Sequence, residues 1–472
     1  MIKVRVRMYR RFLGDCFLVT FGESQAHMLI DCGVIGGTEG ATELMQKVAQ
    51  NIKKTADGPI DVLVATHEHW DHLSGFLQAQ QIFDAIEFKN VWLAWTENPN
   101  DDLAESLRKK HKQTAETVKM AITRLGTLGA EGMPGAERLS ALNAFYEGEV
   151  GLGAARKATT EDALLWVKSR TQPRYCRPGE KPLQIAGITG MRIYVLGPPR
   201  DVELIKKDLP SKRDPETYGM ALAGGLEEAF LAAALACEKE AQGRSVDDEQ
   251  GILRSQPFDE NFQISPERAE KDDFFRRVYY ELDGQTPPRE AWRRIDNDWL
   301  GASEQLALQL DSDTNNTSLV LAVELIESGK VLLFAADAQV GNWVSWQDLS
   351  WRVRDENGNT TDVTAADLLR RVVLYKVGHH GSHNATLREK GLELMTSPEL
   401  TAMIPVDRKM AQKKGWQRMP FTPLLTRLAE KTGGRILRSD EELDKGESEW
   451  KKSSVEVVEG PEGLYFDCTV EG

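Results

Sequence analysis

Asp61-Val62-Leu63-Val64-Ala65-Thr66-His67-Glu68-His69-Trp70-Asp71-His72 is the stretch on which the reading of this chain turns. Residues 61–65 form a β-branched apolar run and read as a buried strand. That strand opens into a loop where His67, His69 and His72 crowd around the Asp71 carboxylate, and few uses other than metal binding explain such crowding. His67 and His69 lie two residues apart, so in extended backbone their rings point the same way and can share one ion. Asp71 and His72 are neighbours after the turn, so they aim elsewhere and can hold a second ion. Neutral imidazole nitrogen and carboxylate oxygen suit zinc, manganese or iron. A solvated, accidentally His-rich loop is the competing reading, and it sits badly behind a buried strand.

Further segments repeat the construction of an apolar strand ending in a polar ligand type. They are Met28-Leu29-Ile30-Asp31-Cys32-Gly33, Val331 to Ala338 with Asp337 at its end, and Val372 to Ser382 with His379 and His380. Asn315-Asn316-Thr317-Ser318-Leu319-Val320-Leu321 precedes the Asp337 strand. The H-x-H-x-D-H pattern, with these segments in this order, resembles the metallo-β-lactamase superfamily. The last three segments (N-x-S-L-V-L, L-L-F-A-A-D-A and L-x-K-V-x-H-H-G-S) look like the hydrolase domain of the ComEC competence channel and its soluble relatives. The resemblance covers roughly residues 1–95, 183–199 and 310–440.

The resemblance implies an α/β fold, a four-layer αββα sandwich, with a dinuclear metal site. It implies that Asp31 supports the metal loop without ligating and that Asp337 bridges the two metals. One of the paired histidines would complete the second ion's ligands; His379 is assigned that place, and His380 is then free to move a proton. One departure stands out. Family members commonly add a histidine from a middle motif, but here that segment runs Met191-Arg192-Ile193-Tyr194-Val195-Leu196-Gly197-Pro198-Pro199. The histidines of the chain are 27, 67, 69, 72, 111, 379, 380 and 383. His111 lies in the basic run Leu107 to Lys112, which reads as a solvated helix face. The first ion would then have His67, His69 and Asp337, and three ligands with an open position still describe a catalytic zinc site. Weaker occupancy or a preference for manganese would follow from the thinner ligand set.

Two ions held close together would deprotonate a bridging water near neutral pH, because coordination lowers its pKa from about 15.7 to near 7. They would also neutralise charge building on a phosphoryl or carbonyl oxygen. Asp71 would both ligate and orient that hydroxide. His383 or His380 would protonate the leaving group, although His383 also reads as an exposed turn residue. Lys376 either snorkels or contacts a phosphate. Asn316, Ser382 and Asn384 could support the site or bond substrate oxygens, and tight turns need such residues too.

Composition sets the bounds. A chain of 472 residues exceeds what one compact core holds, so a single enlarged domain over 1–472 with insertions is expected. The insertions fall at 98–182 and 200–309 and read as mainly helical, the second including an Ala/Leu-rich helix from Met220 to Ala241. Such excursions serve as lids, substrate-binding elements or protein-partner surfaces, with a structural buttress as the alternative. No apolar run approaches the roughly 20 residues that cross a bilayer. The opening residues alternate apolar and basic types, a strand pattern and not a signal peptide. Cysteines at 16, 32, 176, 237 and 468 form no paired spacing, which fits reduced thiols and a cytoplasmic location.

A net charge of −14 argues against a whole-surface nucleic-acid binder. Local basic clusters remain at 108–112, 156–157, 168–170, 174–177 and 408–418, where a phosphate groove or merely solvated helix faces would lie. The ligand spacing alone implies metal-assisted hydrolysis; the resemblance to ComEC-type segments implies that the substrate is a phosphodiester, cleaved by a nuclease or nucleotide phosphodiesterase carrying two divalent ions, zinc foremost. The alternatives are a hydrolase of a small ester, lactone or amide, and a non-catalytic metal-binding scaffold whose insertions bind a partner protein.

Overall fold

The apolar runs become the strands of two sheets, and the metal-type residues fall at their ends. The computed structural model describes residues 2–22, 26–127, 147–151, 157–208, 210, 217, 268, 271–276, 310–354, 359–443, 450 and 453–472. In chain order the strands are β1 (Lys3–Tyr9), β2 (Cys16–Phe21), β3 (Ala26–Cys32), β4 (Val62–Ala65), β5 (Val91–Ala94), β6 (Glu147–Gly151), β7 (Lys157–Thr159), β8 (Pro173–Cys176) and β9 (Met191–Gly197). They continue with β10 (Val320–Leu325), β11 (Val331–Phe334), β12 (Ser350–Arg354), β13 (Thr360–Thr364), β14 (Val372–Lys376), β15 (Thr401–Ile404), β16 (Ile436–Arg438), β17 (Glu456–Glu459) and β18 (Tyr465–Glu471).

An eight-stranded sheet has the order β17-β18-β1-β2-β3-β4-β5-β8, and a six-stranded sheet the order β16-β15-β14-β11-β10-β9. Within the first, β3, β4, β5 and β8 pair in parallel. In the second, β11, β14, β15 and β16 do the same. Parallel strands are buried on both faces, which is why β4 and β14 read as unbroken apolar runs.

Side-chain alternation sorts the residues of each strand into different cores. Met28, Ile30, Val62 and Val64 of the first sheet share one core with Ile193, Val195, Leu321, Val323, Leu332 and Phe334 of the second. Leu29, Leu63 and Ala65 point the other way. They pack on helix α1 (Ala41–Ala56) through Met45, Val48 and Ile52, and on helix α2 (Trp70–Gln78) through Trp70, Leu73 and Phe76. Tyr194, Ala322 and Leu333 face a third core with Trp343, Leu368, Leu424 and Leu428 from the helices at Val340–Ser345, Ala365–Arg370 and Thr422–Thr432. Each fully buried side chain of this kind contributes about 1.5–3 kcal/mol relative to exposure. β1 shows how the pattern is completed where it is not apolar. Arg7, on its outward face, is buried by α1 and paired with both carboxylate oxygens of Asp467 at 2.7 Å.

The chain divides into two compact units. One comprises 1–108, 144–222 and 311–472 and contains every strand named above; the other comprises 109–143 and 223–310. Helix α4 (Asp102–Thr127) follows the short helix α3 (Gln80–Phe83) and the β5 strand. The segment 98–182 begins with a long helix, and its later described part holds β6, β7, the helix Thr160–Lys168 and β8. β8 lies at the edge of the larger sheet, paired with β5. Its Pro-Arg-Tyr-Cys sequence lacks the apolar run of the central strands, and its residues are correspondingly only partly buried. The helix expected over Met220 to Ala241 lies outside the described residues. Among the described residues, no helix is long and apolar enough to cross a membrane.

Candidate metal centre

β4 ends at Ala65, and Thr66 turns the chain into the metal loop. The following helix begins at Trp70, so Asp71 and His72 occupy its first turn. An acidic side chain is favoured there by the helix dipole. Two glycines let other loops press onto this backbone. A β-carbon on Gly14 would lie 2.4 Å from the Gly33 carbonyl oxygen and 2.6 Å from that of Asp71. One on Gly33 would lie 2.4 Å from the Asp71 carbonyl carbon. The Gly14-Asp15 and Asp31-Cys32-Gly33 turns can therefore seat their carboxylates against the loop.

Side chains from both sheets meet here. His72 Nε2 lies 3.2 Å from Asp337 Oδ2 and 3.9 Å from Asp71 Oδ2. His380 Nε2 lies 2.9 Å from Asp71 Oδ2 and 3.5 Å from Asp337 Oδ2. One ligand-type atom from each of Asp15, His72, Asp337 and His380 falls within 4.8 Å of the others. The rear nitrogens are fixed. His72 Nδ1 bonds Asp31 Oδ2 at 2.8 Å, and His380 Nδ1 bonds the Pro405 carbonyl oxygen at 2.7 Å. Each bond holds its ring with Nε2 turned to the carboxylates, the arrangement that orients metal-bound histidines. Asp31 also accepts from the Thr66 amide at 2.8 Å and its hydroxyl at 2.6 Å, tying β3 to the loop.

His67 and His69 form a second group beside the first. His67 Nε2 lies 3.1 Å from His69 Nδ1, and His69 Nε2 lies 3.7 Å from Asp311 Oδ1.

The donor set fits divalent cations. Asp15, Asp31, Asp71, Asp311 and Asp337 are at most 7% exposed, and facing them is the ammonium of Lys376. Asp15 Oδ1, Asp71 Oδ1, His72 Nε2, Asp311 Oδ1 and Asp337 Oδ2 are all buried without a hydrogen-bond partner. Buried polar atoms are rarely left so, because each costs about 1–3 kcal/mol. Converging unpaired lone pairs on oxygen and imidazole nitrogen are what zinc or manganese would satisfy.

The surplus of negative charge shapes the protonation of the site. Burial opposes ionisation of Asp337, but His72, His380 and Lys376 hold its carboxyl well below the usual range. Burial likewise opposes charge on His72, yet Asp337 and the nearby carboxylates raise its pKa well above the usual value. His380 is raised in the same way by Asp337 and Asp71. His69 is different: burial lowers it to about 3, so it is neutral at physiological pH. Burial lowers His67 too, and lowers His379 to about 4. Burial, with Asp71 and Asp337 adding to it, pushes Asp311 well up.

Backbone strain gathers in the same place. Among the described residues, the non-glycine residues of positive φ include Asp31 (55°), Ala336 (47°), His379 (40°) and His380 (51°), each at or next to a site residue. Such conformations cost of order 1–3 kcal/mol and cluster at functional sites.

The remaining candidates occupy other positions. His379 was assigned as the ligand and His380 as the proton donor, but here His380 stands among the carboxylates. His379 Nδ1 instead faces Ser382 Oγ at 3.0 Å and Gln339 Nε2 at 3.3 Å. The paired left-handed conformations turn the two rings to different sides. Ser382 donates to Asn384 Oδ1 and Asn384 to the Asp208 carbonyl, so both are committed to internal bonds. Asn316 is also committed: it donates to the carbonyls of Ile205 and Lys207 and accepts from the amides of Gln339 and Asn342. Lys376 does not snorkel. It is 2% exposed and binds Asp15 at 2.5 Å, the Ala336 carbonyl at 2.7 Å and Asp337 at 3.3 Å. His383 is exposed and rests edge-on against Phe421, its rings 6.2 Å apart, outside the buried cluster.

Two carboxylates here were not singled out from sequence. Asp15 follows Gly14 between two strands, and that close-packing glycine is the signal that could have found it. Asp311 lies within the helical residues 310–316 and ends no apolar run of the kind that precedes the other carboxylates, so its sequence carries no comparable mark.

No curated protein matches the chain. Residues 9–106, which hold Asp15, Asp31 and the whole His67–His72 loop, match the family model of the Metallo-beta-lactamase superfamily, and this segment is a domain of that superfamily.

Proposed function

We propose that this chain is a metal-dependent hydrolase of phosphodiester bonds, built on a four-layer αββα sandwich with two divalent cations, zinc foremost and manganese as the alternative. The observation that carries the hydrolase reading is the set of orphaned, buried carboxylate and imidazole atoms where His72, Asp337, His380 and Asp71 meet. The helix–sheet–sheet–helix order of the three cores supports the sandwich. One cation would lie among Asp71, His72, Asp337 and His380, with Asp15 alongside. The other would lie at His67 and His69. When bound, the pair lowers the pKa of coordinated water and neutralises charge building on a phosphoryl oxygen.

The chain's own residues do the rest. Asp31 and the Pro405 carbonyl hold His72 and His380 in one tautomer. Lys376 keeps Asp337 ionised and fixed. Neutral His379, set at the edge of the cluster by Ser382 and Gln339, is positioned to take a proton from the attacking water and pass it to the leaving group; exposed His383 is the other candidate.

Two features support an anionic substrate. The order of the β10, β11 and β14 segments resembles the ComEC-type hydrolase domain. The basic stretch 408–418 also runs into the paired-histidine loop, where the Phe421 amide bonds the Gly381 carbonyl at 2.8 Å. Arg418 from that stretch lies close enough to His383 to depress its pKa, after desolvation. The other described basic clusters carry ion pairs: Lys168 with Glu97, Arg170 with Asp84, Arg174 with Glu180 and Arg177 with Asp101. They contribute less to such a groove.

The test is hydrolysis of bis-p-nitrophenyl phosphate and of labelled single- and double-stranded DNA and RNA, with added Zn²⁺ or Mn²⁺ and with chelator. Metal-dependent cleavage lost in both His69→Ala and Asp337→Ala is the expected result. Cleavage that survives chelation would end the proposal, and turnover of a lactone or ester in place of phosphodiesters would replace its substrate.

A further inference from the structure

We propose that the basic stretch 408–418 is a phosphate rail at the mouth of the candidate metal centre, selecting a nucleic-acid strand over a single nucleotide by binding phosphates beyond the one cleaved; this rests on the phosphodiester reading above. Residues 408–418 run Arg-Lys-Met-Ala-Gln-Lys-Lys-Gly-Trp-Gln-Arg, with no acidic residue, in a chain of net charge −14. A local reversal of sign draws anions to the place where it stands.

That place adjoins the centre. The Pro405 carbonyl, which accepts from His380 Nδ1 at 2.7 Å, lies just before the helix Arg408–Lys413. Beyond the stretch, the Phe421 amide donates to the Gly381 carbonyl at 2.8 Å, and a β-carbon on Gly381 would lie 3.0 Å from the Pro420 ring. A β-carbon on Gly37 would lie 3.1 Å from Lys414 Nζ, so Lys414 reaches the loop that follows Asp31-Cys32-Gly33. The stretch therefore runs between the paired-histidine loop and the loop after β3, and both of these carry site residues.

Its charges are available. Arg408, Lys409, Lys413 and Arg418 are exposed, and none has an ion-pair partner among the described residues. The neighbouring carboxylates are engaged elsewhere. Asp407 accepts from the Met410 amide, and Asp440 from the Arg408 amide and the Arg438 guanidinium, all at 2.9 Å. Lys409 and Lys413 stand one helical turn apart, a like-charge pair that a helix disfavours and that a line of phosphates would relieve. Near the inner end, exposed His383 rests against Phe421 with ring centroids 6.2 Å apart, and aromatic surface beside a basic track is what stacked bases use. The reacting phosphate must go deeper, because Asp71, His72, Asp337 and His380 are 0% exposed. Neighbouring phosphates of the same strand stay outside, at the level of the rail.

The experiment compares wild type with the neutral variant Lys409→Gln/Lys413→Gln/Arg418→Gln and the charge-preserving variant Lys409→Arg/Lys413→Arg/Arg418→Lys. Folding is checked by circular dichroism. Dinucleotides and oligomers of about 10 nucleotides, in the thymidine and uridine series, are cleaved with Zn²⁺ or Mn²⁺ over a range of salt. Binding of the labelled oligomers is followed by fluorescence anisotropy with chelator present. Counterion release gives each single-strand phosphate contact about fivefold in affinity at about 0.1 M salt, so three contacts give about 100-fold. In the wild type, kcat/KM for the oligomer should exceed that for the dinucleotide by about this factor. The neutral variant should lose most of that advantage, with a log–log salt slope shallower by about 2, and the charge-preserving variant should keep both. Unchanged length dependence and salt slope in the neutral variant would overturn the rail and leave phosphodiester hydrolysis standing. Equal kcat/KM for dinucleotide and oligomer in the wild type would do the same. Oligomer binding that follows the rail charges, with no phosphodiester cleaved by the wild type, would instead overturn the hydrolase reading.

Discussion

The two halves of the candidate metal centre are built to different standards. On one side His72, Asp71, Asp337 and His380 converge from both sheets, and both rings are locked from behind, by Asp31 and by the Pro405 carbonyl. On the other, His67 Nε2 and His69 Nδ1 lie 3.1 Å apart, and Asp311, held by Asn315, stands beside the far nitrogen of His69. The first half concentrates carboxylates around rings whose pKa they raise. The second offers neutral imidazoles. If the proposed pair of ions binds here, the His72–His380 half is expected to bind the tighter of the two.

The sharpest break of this contrast is Asp337→Ala. Asp337 serves the well-built half directly and lies next to the other, so both ions should be lost, with hydrolysis falling by more than about 10³-fold. Elemental analysis beside kcat/KM reads this, and retention of either ion would show that the halves do not share Asp337. His380→Ala should remove one ion and His379→Ala none, a difference that elemental analysis reads directly. The reverse pattern would return the ligand role to His379.

Asp31→Ala comes next, because it removes the support and leaves the ligands. Affinity at the His72 half should drop about 10–100-fold, by calorimetric titration, with little change at the other half. Proton release separates the halves more gently. His72 and His380 are raised above the usual value, so in the metal-free protein they carry protons that an entering ion must displace. Affinity at that half therefore rises with pH and falls as pH drops through neutrality, by about tenfold per pH unit for each proton displaced. His67 and His69 are lowered and already neutral, so an ion entering on that side displaces fewer protons. Titrations in buffers of different ionisation enthalpy count these protons, and equal release from the two halves would contradict the asymmetry. The smallest effect is expected from His383→Ala: unchanged metal content and at most a few-fold loss of kcat. A large loss would make His383 the proton donor in place of His379.

Much of this was legible in the sequence, for identifiable reasons. The His67–His72 loop, Asp31, Asp337 and the paired histidines each follow a buried strand, and a strand ending in a ligand type can be recognised without coordinates. Asp15 and Asp311 could not be found that way, because they sit on a turn and a helical segment placed by contacts far away in the chain. The same limit applies to His379 and His380, which are adjacent in sequence. Only the left-handed backbone at both residues decides which ring turns toward Asp337. Lys376 and Asn316 were visible as polar residues near the site, but their full engagement depends on Asp15, Ala336, Ile205 and Lys207, which no local pattern connects to them.

β9 ends at Gly197, where a β-carbon would lie 2.1 Å from Asn342 Oδ1, and this contact constrains how the centre could change over time. A histidine at position 197 would collide with Asn342, and removing Asn342 would loosen the carbonyls of Asn316 and Ser318 and the indole of Trp346. A histidine ligand at this strand end would therefore need position 342 to change with it, so the two positions are expected to vary together or not at all.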